Sequence, residues 1–139
     1  MSLKGWVFSP HKGGLAIPLD VRERTRKRML SHAAKPRWKK FTKVEVSFRG
    51  KFCYIDAFDE PQPPGKGLLA ALGETKAQYL SRLRSTPIHL CRLRYFMEDR
   101  WSLDIYTYSH ERYEKAVFPD GNFMGKPETA FGMCAEMHG

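Results

Sequence analysis

The sequence predicts a single-domain α+β protein, with a four-stranded antiparallel sheet made of two β-hairpins and with helices before, between and after them. Two stretches, 44–58 and 88–109, alternate between apolar and polar residues on either side of a turn. Helix start and stop signals lie around and between these stretches. The length of 139 residues and the hydrophobic content of 42% suit one domain, 1–139, with a core of its own.

Residues 1–19 are predicted to form an irregular N-terminal segment with at most one short strand, at Trp6–Phe8, because five glycines and prolines interrupt it. The first helix is predicted to begin at Asp20, whose carboxylate suits the positive end of a helix. It should end near Lys35, since Pro36 follows. Most of the circumference of this helix is basic.

The first hairpin, 44–58, is the clearest element of the sequence. A two-residue turn of Arg49 and Gly50 pairs Lys43 with Asp56, so that opposite charges face each other across the strands. It also places apolar residues opposite apolar residues on the other face, which supports this register.

The second hairpin, 88–109, pairs Arg92 with Asp104 if its loop has five residues, 96–100. An even-numbered loop would set an arginine against a leucine, so the odd-numbered loop is preferred.

The remaining segments are predicted to be a loop and short helices. Residues 59–67 are rich in proline and glycine, and Thr75 with Gln78 forms a capping box that opens a helix. We expect a helical turn at 110–115, and a last helix that begins at Pro127.

The two hairpins also place aromatic residues on one side of the sheet. Phe52, Tyr54 and Phe58 share a face of their strand, and Tyr106 and Tyr108 share a face of theirs. Flanked by arginines, such a face is able to stack bases. We expect instead that helices cover it and that these aromatics belong to the core.

Charge is the most informative feature of the composition. The net charge is +9, and residues 1–51 have 14 Lys and Arg against three acids, whereas residues 52–139 have 10 against 12. A basic half is typical of proteins that bind polyanions such as nucleic acid, although it also occurs as a solvated surface that aids solubility. We therefore predict a non-catalytic nucleic-acid-binding module whose basic helix and tail neutralise phosphates. The predicted contact residues are Arg22, Arg24, Arg26, Arg28, Lys35, Arg37, Trp38, Lys39, Lys40, Arg49 and Lys51.

Two other functions remain open. A protein-interaction or regulatory subunit would form a homodimer through an aromatic sheet face. A small hydrolase would need a cleft that groups Asp56, Asp104 and a histidine. The sequence has no nucleophile motif and no cofactor motif, so an enzyme is the less favoured prediction and no cofactor is expected.

A zinc site is a further alternative. His89 and Cys91 are two residues apart on a strand, and Cys134 and His138 are four apart on a helix, so each pair should share a face. If the pairs met, they would form a Cys2His2 site. Cysteines are also ordinary buried residues, and this interpretation is favoured, so no metal is expected.

The stretches Phe48–Ala57 and Trp101–Ser109 resemble a family of small bacterial proteins of unknown function, and the resemblance extends from the first helix to the last. It implies a bacterial cytosolic origin and no particular activity. The odd number of cysteines, the lack of a secretory signal and the lack of a membrane-length apolar run also predict a soluble cytoplasmic protein.

Overall fold

The computed structural model describes residues 11–138, and within them it shows an α+β fold with an antiparallel sheet. The helices are α1 (Leu19–Ala33), α2 (Lys66–Leu72), α3 (Lys76–Arg84) and α4 (Pro127–Glu136), with a short 3-10 helix at Pro36–Trp38. The strands are β1 (Phe41–Arg49), β2 (Phe52–Asp59), β3 (Ile88–Met97), β4 (Arg100–Thr107), β5 (Arg112–Ala116) and β6 (Met124–Gly125). The strand predicted at Trp6–Phe8 lies outside the described residues.

The sheet has more strands than the four predicted. Strands β1 to β5 lie side by side in chain order, each antiparallel to the next, and β6 pairs with β4. The helical turn predicted at 110–115 is wrong, because this segment forms β5, in which Tyr113 lies opposite Tyr106 and Lys115 opposite Asp104. These cross-strand pairs stabilise a strand whose own sequence lacks apolar alternation.

The first hairpin differs from the predicted register by two residues. Its turn is centred on Gly50 and Lys51, so Asp56 lies opposite Glu45 instead of Lys43. Gly50 has a φ of 60°, which tight hairpin turns need at the first central position. A slip of two residues keeps every side chain on the same face, so the turn decides between the two registers.

The second hairpin has the predicted register, with Arg92 opposite Asp104. Its loop is tighter than the five residues predicted, because Met97 also pairs with Arg100. Asp99 in this turn adopts the left-handed conformation, with a φ of 59°.

A β-bulge interrupts β3 at Leu90. Ile55 pairs with Cys91, but the next pair is Asp56 with His89, so Leu90 has no direct partner on β2. Leu90 and Cys91 are consequently both buried in the core, and His89 is turned to the opposite face of the sheet.

Helices α1 and α4 cover one face of the sheet and enclose the core with it. α1 contributes Val21 and Met29, α4 contributes Phe131, and the largest fully buried side chain is Trp101 of β4. Helices α2 and α3 contribute no buried residue. They therefore form a peripheral connection between β2 and β3.

The segment before α1 is irregular as predicted, as far as it is described. The Leu15 N–H donates to the Tyr95 carbonyl at 2.8 Å, and the Ile17 N–H donates to the Gly50 carbonyl at 3.0 Å. This segment thus passes along the end of the sheet near the first hairpin turn and leads into α1, which begins one residue earlier than predicted. No helix in residues 11–138 is long and apolar enough to cross a membrane.

Candidate functional site

The sheet face that points away from α1 and α4, called the open face below, carries the candidate site. Along β2, Cys53, Ile55 and Ala57 are buried in the core, so the alternate residues project from the open face. Its side chains include Glu45, Ser47, Arg49, Phe52, Tyr54, Asp56, His89, Arg92, Arg94, Asp104, Tyr106, Tyr113 and Lys115. For residues 11–138, the expectation that helices cover these aromatics and make them core is wrong, since α1 and α4 pack on the other face and the aromatic side chains are partly exposed.

Arginines and aromatic rings alternate on the open face. The Arg92 guanidinium lies 4.6 Å from the centre of the Phe52 ring and 5.0 Å from that of Tyr113. Arg94 lies 4.8 Å from the Phe52 ring. Such cation–π contacts hold the Arg92 and Arg94 guanidinium groups against the rings. Arg94 Nη1 also donates to the Gly13 carbonyl at 2.9 Å, so the segment before α1 covers part of this surface.

A cluster of tyrosines continues this surface towards β5. The Tyr113 ring packs edge-to-face against Tyr54 at 5.8 Å and against Tyr106 at 5.0 Å. Burial raises the pKa of Tyr113, so its hydroxyl stays protonated at neutral pH. Within residues 11–138, the hydroxyls of these three tyrosines make no hydrogen bond, so they are available to a ligand.

Asp104 is the most buried charge of the open face, with a relative exposure of 6%. One of its oxygens accepts from Arg92 Nε at 2.9 Å and from Arg92 Nη2 at 2.8 Å. His11 Nδ1 lies 3.7 Å from the other oxygen, and burial lowers the pKa of this histidine. Arg92 is therefore the main counter-charge of Asp104.

A second cross-strand pair, between a histidine and a carboxylate, joins β2 to β3. His89 Nδ1 lies 3.0 Å from Asp56 Oδ1. Because a carboxylate only accepts, Nδ1 must donate, and the lone pair of the neutral ring is then on Nε2. The His89 backbone N–H donates to the Tyr108 hydroxyl at 2.8 Å, and Tyr106 packs against the ring at 4.9 Å.

This pair lies in an open cleft of about 330 Å3. The cleft is lined by Ser47, Phe48, Arg49, Tyr54, Asp56, His89 and Tyr113. The side chain of His89 is 38% exposed and that of Asp56 is 20% exposed, so a bound molecule has access to the free nitrogen of the imidazole.

The structure separates the four residues of the zinc alternative. Cys91 and Cys134 meet in the core, where a hydrogen bond between the two thiols and burial raise the pKa of Cys91. The bulge at Leu90 turns His89 to the open face, and His138 packs against Tyr108. Within residues 11–138, no three His, Cys, Asp or Glu side chains are grouped as metal ligands.

Three of the arginines predicted to contact nucleic acid have carboxylate partners. Arg24 bonds to Asp20 and Glu98, and Arg37 bonds to Glu136. Arg28 joins α1 to the β3–β4 turn and to α4; its partners are Glu98, Asp99 and Glu128. These contacts give the three arginines a structural role.

Three other predicted residues bond to backbone carbonyls. Arg22 donates to Ile17, Arg26 to Val46 and Lys40 to Ala135, and each keeps its net charge.

Trp38, the aromatic residue among the predicted contacts, lies in the core. It is 4% exposed and packs edge-to-face on Phe131 at 5.3 Å.

The other four predicted residues have no carboxylate partner within residues 11–138. Lys35 and Lys39 lie beyond the end of α1 on the helical side of the molecule. Arg49 precedes the first hairpin turn and Lys51 is one of its two central residues, next to the open face; Lys51 Nζ lies 5.9 Å from the centre of the Phe52 ring. The structure thus brings two of the predicted residues to the candidate site.

Sequence reasoning missed the pairing of Asp56 with His89 and the place of Tyr113. The pairing depends on a bulge that no residue pattern indicates, and Tyr113 was assigned to a helical turn. Arg92 and Arg94 could be placed beside the aromatic residues, because the second hairpin register follows from its alternation.

Comparison with known proteins adds no assignment. No protein-family model, no curated protein and no solved structure matches this chain. The resemblance to a bacterial family stays a prediction.

Proposed function

We propose that this protein binds single-stranded nucleic acid on its open face. The observation that carries the proposal is the combination of stacked arginines, partly exposed rings and unpartnered tyrosine hydroxyls on one surface that no helix of residues 11–138 covers. Aromatic and guanidinium planes stack with any base, and hydroxyls donate to base edges or phosphates. Stacking of this kind needs unpaired bases, which favours a single strand over a duplex.

The charges of the open face support the same proposal. Of the carboxylates on this face, Glu45 is paired with Lys43, Asp104 is paired with Arg92, and Asp56 accepts a hydrogen bond from the His89 ring. The cations around them have no carboxylate partner within residues 11–138; they are Arg49, Lys51, Arg94 and Lys115. An excess of unpaired cations beside stacking groups is what a phosphate backbone requires.

The role of α1 differs in this proposal from the one predicted from sequence. Its paired arginines hold elements together, while Lys27, Lys35 and Lys39 remain as exposed cations at a distance from the rings. They contribute to the long-range field that attracts a polyanion.

A reducing cytoplasm is the compartment we propose, because Cys53, Cys91 and Cys134 are free and buried.

Fluorescence anisotropy of labelled single-stranded RNA, single-stranded DNA and duplex DNA, measured against salt concentration, tests the proposal. We expect single strands to bind more tightly than duplex, with an affinity that falls steeply with salt. Phe52→Ala and Tyr54→Ala should each weaken the binding free energy by about 1–3 kcal/mol. Charge reversal of Arg49 and Lys51 should lower the salt slope by about one for each phosphate that these residues neutralise.

Matched control variants distinguish binding at the open face from non-specific attraction to any positively charged surface. Charge reversal of Lys66 and Lys76, two exposed lysines on α2 and α3, should leave the affinity nearly unchanged. Charge reversal of Lys27, Lys35 and Lys39 tests the basic helix. If that variant loses binding and Phe52→Ala does not, the interface is α1 and the open-face proposal fails. Sedimentation of Phe52→Ala beside the wild type checks the homodimer alternative.

A further inference from the structure

We propose that the strand bound on the open face is RNA, and that His89 cleaves it as a general base positioned by Asp56. This inference rests on the proposed function, because the cleft at His89 is part of the same surface. Stacking and phosphate neutralisation do not require a histidine that is held by a carboxylate, and the His89–Asp56 pair has this arrangement.

The two residues have the arrangement of a base and its orienting group. The 3.0 Å contact to Asp56 holds Nδ1 and leaves Nε2 free, and no other residue of the described chain bonds to Nε2. The His89 backbone N–H donates to the Tyr108 hydroxyl, which holds the main chain, and the imidazole ring packs against Tyr106. A cross-strand ion pair that only stabilised the sheet would not need access from a cleft.

The cleft around this pair also provides the partners that a phosphodiester needs. Arg49 lines it without a carboxylate partner among the described residues, so its guanidinium is free to hold a phosphate. Tyr54 and Tyr113 line it with unpartnered hydroxyls. The ring centres of Tyr113 and His89 are 6.4 Å apart, so a base that stacks on the tyrosine brings its own ribose towards the imidazole.

The reaction that fits these groups is an internal transfer of the phosphoryl group. His89 Nε2 takes the proton of the ribose 2′-hydroxyl, and the 2′ oxygen forms a bond to the adjacent phosphorus. The bond from phosphorus to the 5′ oxygen breaks, and the leaving 5′ oxygen takes a proton from water. The products are a 2′,3′-cyclic phosphate and a free 5′-hydroxyl, and the imidazolium returns its proton to solvent. DNA lacks the nucleophile and remains intact.

The test uses end-labelled single-stranded RNA, the same sequence as DNA, and the same sequence as 2′-O-methyl RNA, each incubated with the full chain in EDTA. We expect cleavage of RNA alone, with a cyclic phosphate identified by mass spectrometry. His89→Asn keeps a side-chain donor near Asp56 but removes Nε2, and it should slow cleavage by about 10²–10⁴-fold. Its affinity for the uncleavable 2′-O-methyl strand should stay within a few-fold of the wild type.

Two further variants test the assigned roles. Asp56→Asn should slow cleavage and change the pH profile of kcat/KM, which a purely structural residue would not do. His110 forms an equivalent pair with Glu114 at 3.1 Å outside the open face, so His110→Asn is the matched control and should cleave like the wild type.

The outcomes distinguish this inference from the proposed function. RNA that binds and stays intact overturns the cleavage and leaves the binding proposal standing. Failure of every strand to bind overturns both. Equal cleavage by the wild type and by His89→Asn assigns the activity to a contaminating nuclease, and this also overturns the inference.

Discussion

At the scale of the residue, the buried pair of Asp104 and Arg92 determines how side chains are arranged on the open face. Asp104 is almost fully buried, and Arg92 compensates it with two hydrogen bonds while also lying over Phe52 and Tyr113. The same guanidinium therefore stabilises the sheet and shapes the stacking surface. Removing it leaves a carboxylate in a site with little water, and such a change costs more than the ion pair itself contributes.

We expect Arg92→Met to lower the free energy of unfolding by about 2–3 kcal/mol, because Asp104 then stays buried without its counter-charge. This loss of stability is smaller than for a fully buried pair, because the Arg92 side chain is 26% exposed. Urea unfolding measures it. Arg112→Met, which breaks the exposed pair with Glu114, should cost less than about 1 kcal/mol. Equal effects in the two variants would contradict the role given to Asp104.

Glu114 predicts a pH dependence of stability. The Thr107 hydroxyl, His110 and Arg112 all bond to its carboxylate and lower its pKa to about 2. A carboxyl whose folded pKa lies below its unfolded value stabilises the fold above the unfolded pKa, and this contribution is lost as the pH falls through the folded value. The stabilisation is thus complete above about pH 4.5 and disappears towards pH 2.

The measurement for Glu114 is the unfolding free energy of the wild type and of Glu114→Gln at several pH values. The wild type should be the more stable above about pH 5, and the difference should shrink as the pH falls from 4.5 towards 2. A difference that stays constant over this range would show that the carboxylate charge is not what stabilises this site.

The elements show which parts of the fold a sequence can predict. The second hairpin and the capping box at Thr75 with Gln78 were predictable, because alternation and cap chemistry are local signals. The predicted register of the first hairpin is wrong by two residues, because Gly50 suits either central position of a turn and both registers leave each side chain on the same face of the sheet. Strand β5 has no pattern of its own and exists only through its pairing with β4.

The candidate site was partly predictable for the same reason. Regular alternation places Tyr54, Arg92 and Tyr106 on one face, and they are there. The bulge at Leu90 breaks that rule, so His89 lies on the opposite face from Cys91 and beside Asp56. Which face the helices cover depends on tertiary packing, and a single sequence contains no local signal for it.

Two glycines test the packing at the scale of the element. A Cβ on Gly125 in β6 would lie 2.6 Å from the ring of Phe118, which is 2% exposed. Gly125→Ala should destabilise the fold by about 1–3 kcal/mol through overpacking. A Cβ on Gly132 in α4 would meet Trp38 at 3.6 Å, an ordinary van der Waals distance. Gly132→Ala should stabilise it by about 0.5–1 kcal/mol, because alanine favours a helix. Thermal unfolding of both variants measures the two effects, and the same sign in both would contradict this packing.

At the scale of the whole molecule, the chain divides into a packed body and a peripheral connection. The body consists of the sheet with α1 and α4, linked by the ion pairs of Arg28. Helices α2 and α3 bury no residue and are tied mainly to their own segment, by Arg82 with Glu74 and Arg84 with Glu60. The strands that they connect already lie side by side, since Ala57 pairs with Ile88.

This division predicts that α2 and α3 can be removed. Replacing residues 61–86 by a short glycine–serine linker should leave a folded chain with a free energy of unfolding within about 2 kcal/mol of the wild type, because a shorter loop costs less entropy to close and the two helices bury little apolar surface. Circular dichroism and urea unfolding check the fold, and anisotropy checks that single-stranded nucleic acid still binds, since the open face is untouched. A variant that unfolds would show that the two helices stabilise the body. A folded variant that no longer binds would place part of the interface on α2 or α3.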